Sequence, residues 1–454
     1  MRIFFSSWQN MFKEFFPKKQ EVTINIFNAE NKVAYIIKDW LLLPFIFAFL
    51  FSLPIYLNFY TYLSKGYLPY INAIFVLVSL AIYLNIHKRF RFAFGFFVGI
   101  FWFYWIGLSF RYTPSPYLMY VVPIIIAMVY ATLIWFALFF NNVIFRAITL
   151  SLLGYVTIFG FDWFIPDAML SFSIFKVDKI SFIIIVITLA IMSIKRLTLF
   201  RFLAIFLLFF ATDFDVKKAK IPNEKILLTQ TNTPQNEKWL RDNVDRIAAY
   251  NINLVKKAIN DGYTTVVLPE TAFPVILNIA AYSDILDTLR ELSTRINIIT
   301  GAQRYDRFGI YNTTYVFSNN TYHYADKVFL APFGEYMPIP GFVADFFSSI
   351  FNIKYSTFDV QNREPINIFA GNLIFRNAIC YEATTKKAYK DNPKYMMLIS
   401  NNIWFKPSSE PILQMMLIKY YARLHKTIVF HSANGSKSGI ITPDIGLDFR
   451  VEGI

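Results

Sequence analysis

The chain has one cysteine in 454 residues, Cys380, and only four histidines. A single thiol excludes an intramolecular disulfide in any compartment and excludes a cysteine-rich metal site. No GxxxxGK[ST] phosphate loop, GxGxxG dinucleotide turn or HExxH metal helix occurs, so no cofactor is implied. The first 40 residues lack a compact apolar region followed by a small-residue cleavage site. The expectation is an uncleaved first span that serves as the insertion signal. Charge is scarce too: Asp, Glu, Lys and Arg make up 16% of the residues against 56% hydrophobic, more apolar than soluble domains usually are.

Charge is missing altogether from Trp40 to Ser64, Gly66 to His87, Phe92 to Phe110 and Tyr112 to Phe145. Each run can cross a bilayer, which takes about 20 apolar residues. Ala147 to Phe161, Ile180 to Ile194 and Phe202 to Thr212 are shorter and bring the expected number of spans to seven. Lys and Arg are retained on the cytoplasmic side of short loops. An N-terminus inside puts Lys88, Arg89, Arg91, Arg146, Lys195, Arg196 and Arg201 in the cytoplasm with the basic N-terminal segment. Only Lys65, Arg111, Lys176 and Lys179 then lie outside. Seven crossings place everything after Thr212 outside, which in a bacterium with two membranes is the periplasm. The expected division is a cytoplasmic segment 1–40, a membrane domain 41–212 and an extracytoplasmic domain 213–454.

A formal net charge of +14 raises the question of nucleic acid. Through Thr212 there are 17 basic and 7 acidic residues, and beyond it 27 and 23, so the excess is mostly topological. The second half has no run of Lys and Arg interleaved with aromatics of the kind that tracks phosphates. Anionic lipid headgroups fit this basic balance better than nucleic acid does.

From Asp213 a charged linker leads into short β-rich runs alternating with amphipathic segments. Strands are expected from Ile226, Thr264, Ile296, Thr313, Asn372, Tyr395 and Lys426, and helices over Glu237 to Asn260, Ile285 to Arg295 and Pro411 to His425. This alternation predicts a layered α/β fold with buried strands. Glu270, Lys327 and Cys380 sit at or just beyond strand ends, where α/β sheets commonly place reactive groups. Alone, each has an ordinary reading as a buried thiol or a solvated charge. Together they suit covalent acyl transfer, which needs a nucleophile, a proton acceptor that later returns the proton, and a cation for the thiolate and the oxyanion. A lysine serves poorly as a base unless deeply desolvated, whereas its ammonium readily lowers a neighbouring thiol's pKa.

LPETAFP around Glu270, KVFLAPFGEYMP around Lys327 and ICYEA around Cys380 resemble the three signature segments of nitrilase-superfamily enzymes, in order and in spacing. TQTNTPQNEKW, ending at Trp239, the form of PFGEYMP, and SNNIWF from Ser400 resemble the apolipoprotein N-acyltransferase family, as does the block of spans that precedes them. The resemblance implies an αββα sandwich fused to a multi-span membrane domain. It also implies a Glu-Lys-Cys triad with Glu270 as general base and acid, Lys327 as oxyanion stabiliser and Cys380 as nucleophile. Glu335 is the counterpart of a second essential glutamate; Tyr381, Glu382, Trp239, Asn401, Asn402, Trp404 and Phe405 are expected to support or line the site or its lipid entrance. Phe342, Phe346, Phe347, Ile350 and Phe351 are candidates for a loop that dips into the headgroup region.

The implied reaction has two steps. Cys380 takes an acyl chain from a phospholipid as a thioester, and the N-terminal amine of a diacylglyceryl-cysteine apolipoprotein then receives it. The implied partners are these two substrates and the bacterial inner membrane, with the chain acting as a monomer. Two other readings stay open: a membrane-tethered amidase acting on a small amide, and a transporter or scaffold with a non-catalytic domain. A Cys380–His431 dyad is the alternative route to an activated thiol, although none of His323, His425 and His431 has a recognisable nucleophile-base context. Asp162 and Asp167 are expected near the outer edge of a span, in contact with headgroup-level water. The family pattern adds a membrane helix after the last strands, and this sequence departs from it by stopping at FRVEGI.

Overall fold

The computed structural model describes residues 37–64, 68–158, 160–194, 196, 198–215, 218–336, 341, 342, 345, 349, 360 and 364–445. Phe346, Phe347, Ile350 and Phe351, together with residues 1–36, lie outside the described residues; Phe342 is described and exposed.

In an apolar medium a helix is the one arrangement that satisfies a segment's own backbone. Among the described residues these sparsely charged stretches accordingly form seven α-helices: α1 Leu43–Ser64, α2 Pro69–Asn85, α3 Arg91–Phe103, α4 Leu118–Ala137, α5 Val143–Leu153, α6 Lys179–Ser193 and α7 Thr198–Ala211. Trp40–Asn58, Lys88–Tyr112 and Leu118–Ala137 are long and apolar enough to cross a membrane, and the other apolar helices are shorter. One expectation needs correcting. The span read over Ala147 to Phe161 leaves helical geometry after Leu153, where Gly154 caps α5. Eleven residues make a helix about 16 Å long, against roughly 30 Å of hydrocarbon.

α3 and α4 pack most closely. A Cβ on Gly95 would stand 2.9 Å from the Cα of Ala131, and one on Gly99 would stand 2.8 Å from that of Ala127. Two small residues four apart on each helix let the backbones meet. At one end of the bundle, arginines close the helix termini. Arg146 donates to the carbonyls of Leu84, Ile86 and Phe140, and Arg91 to that of Phe139. Carbonyls left over at helix ends take cations well.

The opposite end carries two sheets. The first runs β1 (Ile226–Leu228), β3 (Thr265–Val267), β4 (Asn297–Asp306), β5 (Gly309–Ser318), β6 (Thr321–Asp326). The second runs β11 (Gly439–Ile441), β10 (Ile428–Asn434), β9 (Tyr395–Asn401), β8 (Leu373–Ile379), β7 (Asn367–Ala370), with β2 (Gln230–Thr231) paired to β10. Contacts β1–β3–β4, β8–β9–β10 and β2–β10 are parallel, and the remaining contacts along each sheet are antiparallel.

Side chains alternate across a strand. Val267, Ile299, Met397, Ile399 and Phe430 therefore fill the space between the sheets, while Val266, Leu268 and Ile298 face outward under α9 (Arg241–Asn260), which follows the single turn α8 (Gln235–Lys238), and under α10 (Ser283–Leu292). On the far side Ala378, Met396 and Leu398 face α11 (Glu410–His425). The layers are α, β, β, α, as expected.

α11 is buried nearly all round, because the bundle covers its other face. Arg423 donates to the carbonyls of Leu170, Ser171, Ser173 and Phe175 and pairs with Asp213 at 2.9 Å. Ser171 bonds the carbonyl of Met416.

Candidate active site

The three candidate residues stand where three strands end. β3 stops at Val267, and Pro269, which has no N–H to give a ladder, turns the chain so that Glu270 leaves the sheet buried. β6 is anchored at Asp326 by a two-point bond from Arg304, at 3.0 and 2.7 Å, and by the Thr313 hydroxyl at 2.6 Å. Lys327 follows at once. β8 ends at Ile379, and Cys380 turns into the left-handed region at φ +53°. Thr271, beside Glu270, and Phe333, in the turn that carries Glu335, also have positive φ, at 48° and 63°. Strain of this kind in non-glycine residues tends to gather at functional sites.

Asn312 on β5 joins two of the three. Its side-chain amide donates to Glu270 Oε1 at 2.7 Å, and its carbonyl accepts the Lys327 N–H at 2.8 Å. The Lys327 ammonium meets both oxygens of Glu335, at 2.8 and 2.7 Å, and Glu335 Oε2 also accepts the Ala331 N–H at 2.8 Å.

Burial pushes Lys327 down, but the carboxylates of Glu335 and Glu270 and the Cys380 sulfur outweigh it and hold the ammonium above its ordinary range. Burial pushes the Cys380 thiol well up, as do Glu270, Glu410 and Glu335; Lys327 pulls the other way. The resting sulfur is therefore a thiol beside a permanent cation.

Glu382 is buried in a cage of backbone donors. Oε1 accepts the N–H groups of Val328 and Phe329, at 2.7 and 2.9 Å, and Oε2 accepts that of Ile379 at 2.7 Å. One carboxyl group thus clamps the residues just after Lys327 to the residue just before Cys380. Burial pushes it up to about 7, against Lys327 and the three amides.

Tyr381 turns toward the bundle. Its hydroxyl donates to Asp162 Oδ1 at 2.7 Å, and its ring stacks on Trp163 at 6.3 Å. Trp163 itself donates to the Thr384 hydroxyl. Trp404 packs edge-on against Tyr112, and Phe405 against Trp105. Asn401 donates to Gln235 and accepts from Asn434, and Asn402 donates to Gln414. Trp239 is half-exposed. Asp167 is not in water, contrary to expectation: it is buried and pairs with Lys179 at 2.6 Å, because the helix turn Pro166–Phe172 is covered by α11.

Three neighbours were not singled out from sequence. Lys238 is buried and donates to the Glu270 carbonyl at 3.1 Å. Burial lowers it to about 7, although Glu270 opposes this. In sequence it sits among Asn236, Glu237 and Trp239 at the head of an amphipathic helix, where a lysine reads as solvated. Asn312 and Gln414 gave no signal beyond their polarity. His431 is buried with neither ring nitrogen hydrogen-bonded, and burial lowers it to about 3; a neutral, unpaired imidazole gives no support to the dyad. Among the described residues no three His, Cys, Asp or Glu side chains group as metal ligands.

Residues 37–214 match the family described as the apolipoprotein N-acyltransferase integral membrane domain. Over longer spans the chain is similar to the apolipoprotein N-acyltransferase of Wolinella succinogenes, at 39% identity over 87% of this chain and 94% of the relative. The enzymes of that name from Helicobacter pylori and Campylobacter jejuni are 37% and 33% identical, over 83% and 94% of this chain and 90% and 93% of their own length.

Proposed function

We infer the chemistry from one premise: the chain belongs to the apolipoprotein N-acyltransferase family. It is a membrane acyltransferase of lipoprotein maturation, a function that neither the small-amide hydrolase nor the transporter matches. Our proposal concerns how its residues perform that transfer.

Cys380 is the nucleophile, Glu270 the base and acid, and Lys327 the oxyanion cation. In the first step the thiol proton passes to the Glu270 carboxylate and the sulfur attacks the ester carbonyl of a phospholipid. The C–O bond breaks, and the departing lysophospholipid oxygen takes the proton back from Glu270. In the second step the α-amine of a diacylglyceryl-cysteine apolipoprotein attacks the thioester. The C–S bond breaks, and the amine's proton returns by way of Glu270 to the sulfur. Lys327, held charged by Glu335, stays an ammonium throughout and faces the oxyanion of both tetrahedral intermediates. The observation that carries this reading is the convergence of three strand ends on one thiol, with Asn312 holding base and cation together.

The bundle brings the site to its substrates, since drawing an acyl chain out of a bilayer costs about 0.8 kcal/mol per CH₂. Trp239 beside Lys238, and Phe333 beside Glu335, are exposed apolar side chains on either flank of the site and suit the approach of such a chain. The sheets sit at the end of the bundle remote from Arg91 and Arg146, which favours a periplasmic site in the inner membrane. The test is mass spectrometry of the protein incubated with phospholipid vesicles. An acyl adduct on the Cys380 peptide, released by hydroxylamine and absent from Cys380→Ala, is the expected result; turnover by Cys380→Ala would overturn the mechanism.

A further inference from the structure

Besides Lys327, a neutral donor reaches the sulfur. Gln414, in the second turn of α11, points its Nε2 at Cys380 Sγ, 3.7 Å away. The other end of the amide is occupied, because Asn402 Nδ2 donates to Gln414 Oε1 at 2.8 Å. With its oxygen taken, the group that Gln414 has left to offer the sulfur is an N–H. Asn402 stands just past the end of β9, near Glu410, the first residue of α11. All three side chains are buried.

Glu410 is buried beside these amides. Its Oε2 has no partner, and no described cation pairs with it, so an ionised carboxylate there would be a buried charge without compensation. Burial holds it well above the ordinary carboxylate range, as a neutral acid. The thiol needs that neutrality. Glu270 and Glu335 oppose its ionisation, an ionised Glu410 would add to them, and Lys327, the cation on the other side, divides its ammonium with Glu335.

We propose that Gln414 is a further catalytic residue, donating its amide N–H to the Cys380 sulfur, and that Asn402 is a positioning residue that fixes which end of the amide faces it. The donor acts where negative charge appears on sulfur: when the thiol proton has gone to Glu270 and before the C–S bond forms, and again when that bond breaks and the sulfur leaves with the electron pair. It contributes no proton and no net charge. Its part in turnover rests on the acyl-transfer reading given above; its contact with the thiolate does not.

The two are separated by measuring the thiol itself. Cys380 is the only cysteine, so alkylation of the full chain in detergent by iodoacetamide, followed from pH 7 upward until the rate levels off, reports on this one sulfur. Gln414→Met conserves volume and removes the donor. The expected result is a midpoint about one unit higher, hence alkylation about tenfold slower at neutral pH, with the acyl adduct forming more slowly by a similar factor. Asn402→Ala leaves Gln414 in place but free to turn, and a smaller upward shift is expected; it carries the test if Gln414→Met does not fold. A midpoint unchanged in either folded variant overturns the proposal. A midpoint moved downward does so as well, since it would mean that the amide oxygen accepts from the thiol. An upward shift in a protein that never takes an acyl chain upholds the donor and sinks the reaction.

Discussion

Gly301 on β4 lies directly against Glu270: a Cβ at position 301 would stand 2.7 Å from the Glu270 Cα and 2.5 Å from the Thr271 nitrogen. Both obstacles are backbone, so neither can swing aside. Gly301→Ala is expected to displace Glu270 without touching a reactive side chain. Misplacement on the scale of an ångström costs about a hundredfold in rate. Thioester formation, followed by mass spectrometry, should fall by that order while the protein still folds with a stability loss of about 1–3 kcal/mol.

The Glu382 cage predicts a pH dependence of stability. Its carboxyl titrates at about 7 when folded, above its ordinary value of 4.5, so the folded state binds the proton more tightly between those limits. The resulting stabilisation is complete below pH 4.5 and is lost as pH rises through 7. Glu382→Gln removes this titration, and with only one acceptor oxygen it leaves at least one caged N–H poorly paired, at a cost of about 1–3 kcal/mol. Thermal unfolding in detergent should show the gap between wild type and variant narrowing from pH 5 to pH 8.

Lys238 carries the opposite sign. Folded it titrates near 7, against 10.5 as its ordinary value, so between these limits the unfolded chain binds the proton more tightly. The stabilisation is complete above pH 10.5 and is lost as pH falls through 7. Replacing Lys238 with Met should remove this rise, so that wild type gains on the variant between pH 7 and pH 9 in the same unfolding assay. Equal slopes would show that the lysine does not titrate there.

The Tyr381 hydroxyl and Asp162 join the turn at Cys380 to the bundle. A double-mutant cycle of Tyr381→Phe and Asp162→Asn, read by unfolding, should give a coupling of about 1.5–3 kcal/mol, the range for hydrogen bonds to a charged group. Additive effects would mean that the bond contributes nothing to docking.

The strands that deliver Glu270 and Cys380 were legible because the sequence runs TTVVLP and NLIFRNAI lead directly into those residues. β6, β7 and β11 were not: TYHYAD mixes polar side chains along an exposed strand, NIFA has four residues and GII three, too short for an alternation to register. Among the described residues the helices of the bundle follow the sparsely charged stretches, but the end of α5 at Gly154 lies inside an uncharged run and composition does not mark it. Within the site, sequence brings the reactive types together and misses where they point. Glu382 follows Cys380 by two residues, which suggests a lining group, yet the turn at Cys380 folds its carboxylate back onto backbone amides. Asp167 reads as a carboxylate at a span's edge because its partner Lys179 is twelve residues away, across a loop with no regular period. Lys238 shows the same limit, since burial from every side is a property of the whole fold.

α11 belongs by chain order to the sheets, but Arg423 and Met416 fasten it to the turn that follows α5, and one apolar core runs from Phe47 through that helix to the outer face of the second sheet. The catalytic layer is therefore not an excisable module. A gene fragment opening at Asp213 would bare one flank of α11, with an arginine shaped to hold four carbonyls that are no longer there, and would be expected to precipitate when secreted alone. The same continuity bears on descent. Substitutions in the loop between α5 and α6 and in α11 must be tolerated as pairs, so the lineage is expected to have inherited its two halves together rather than exchanging either for a foreign one.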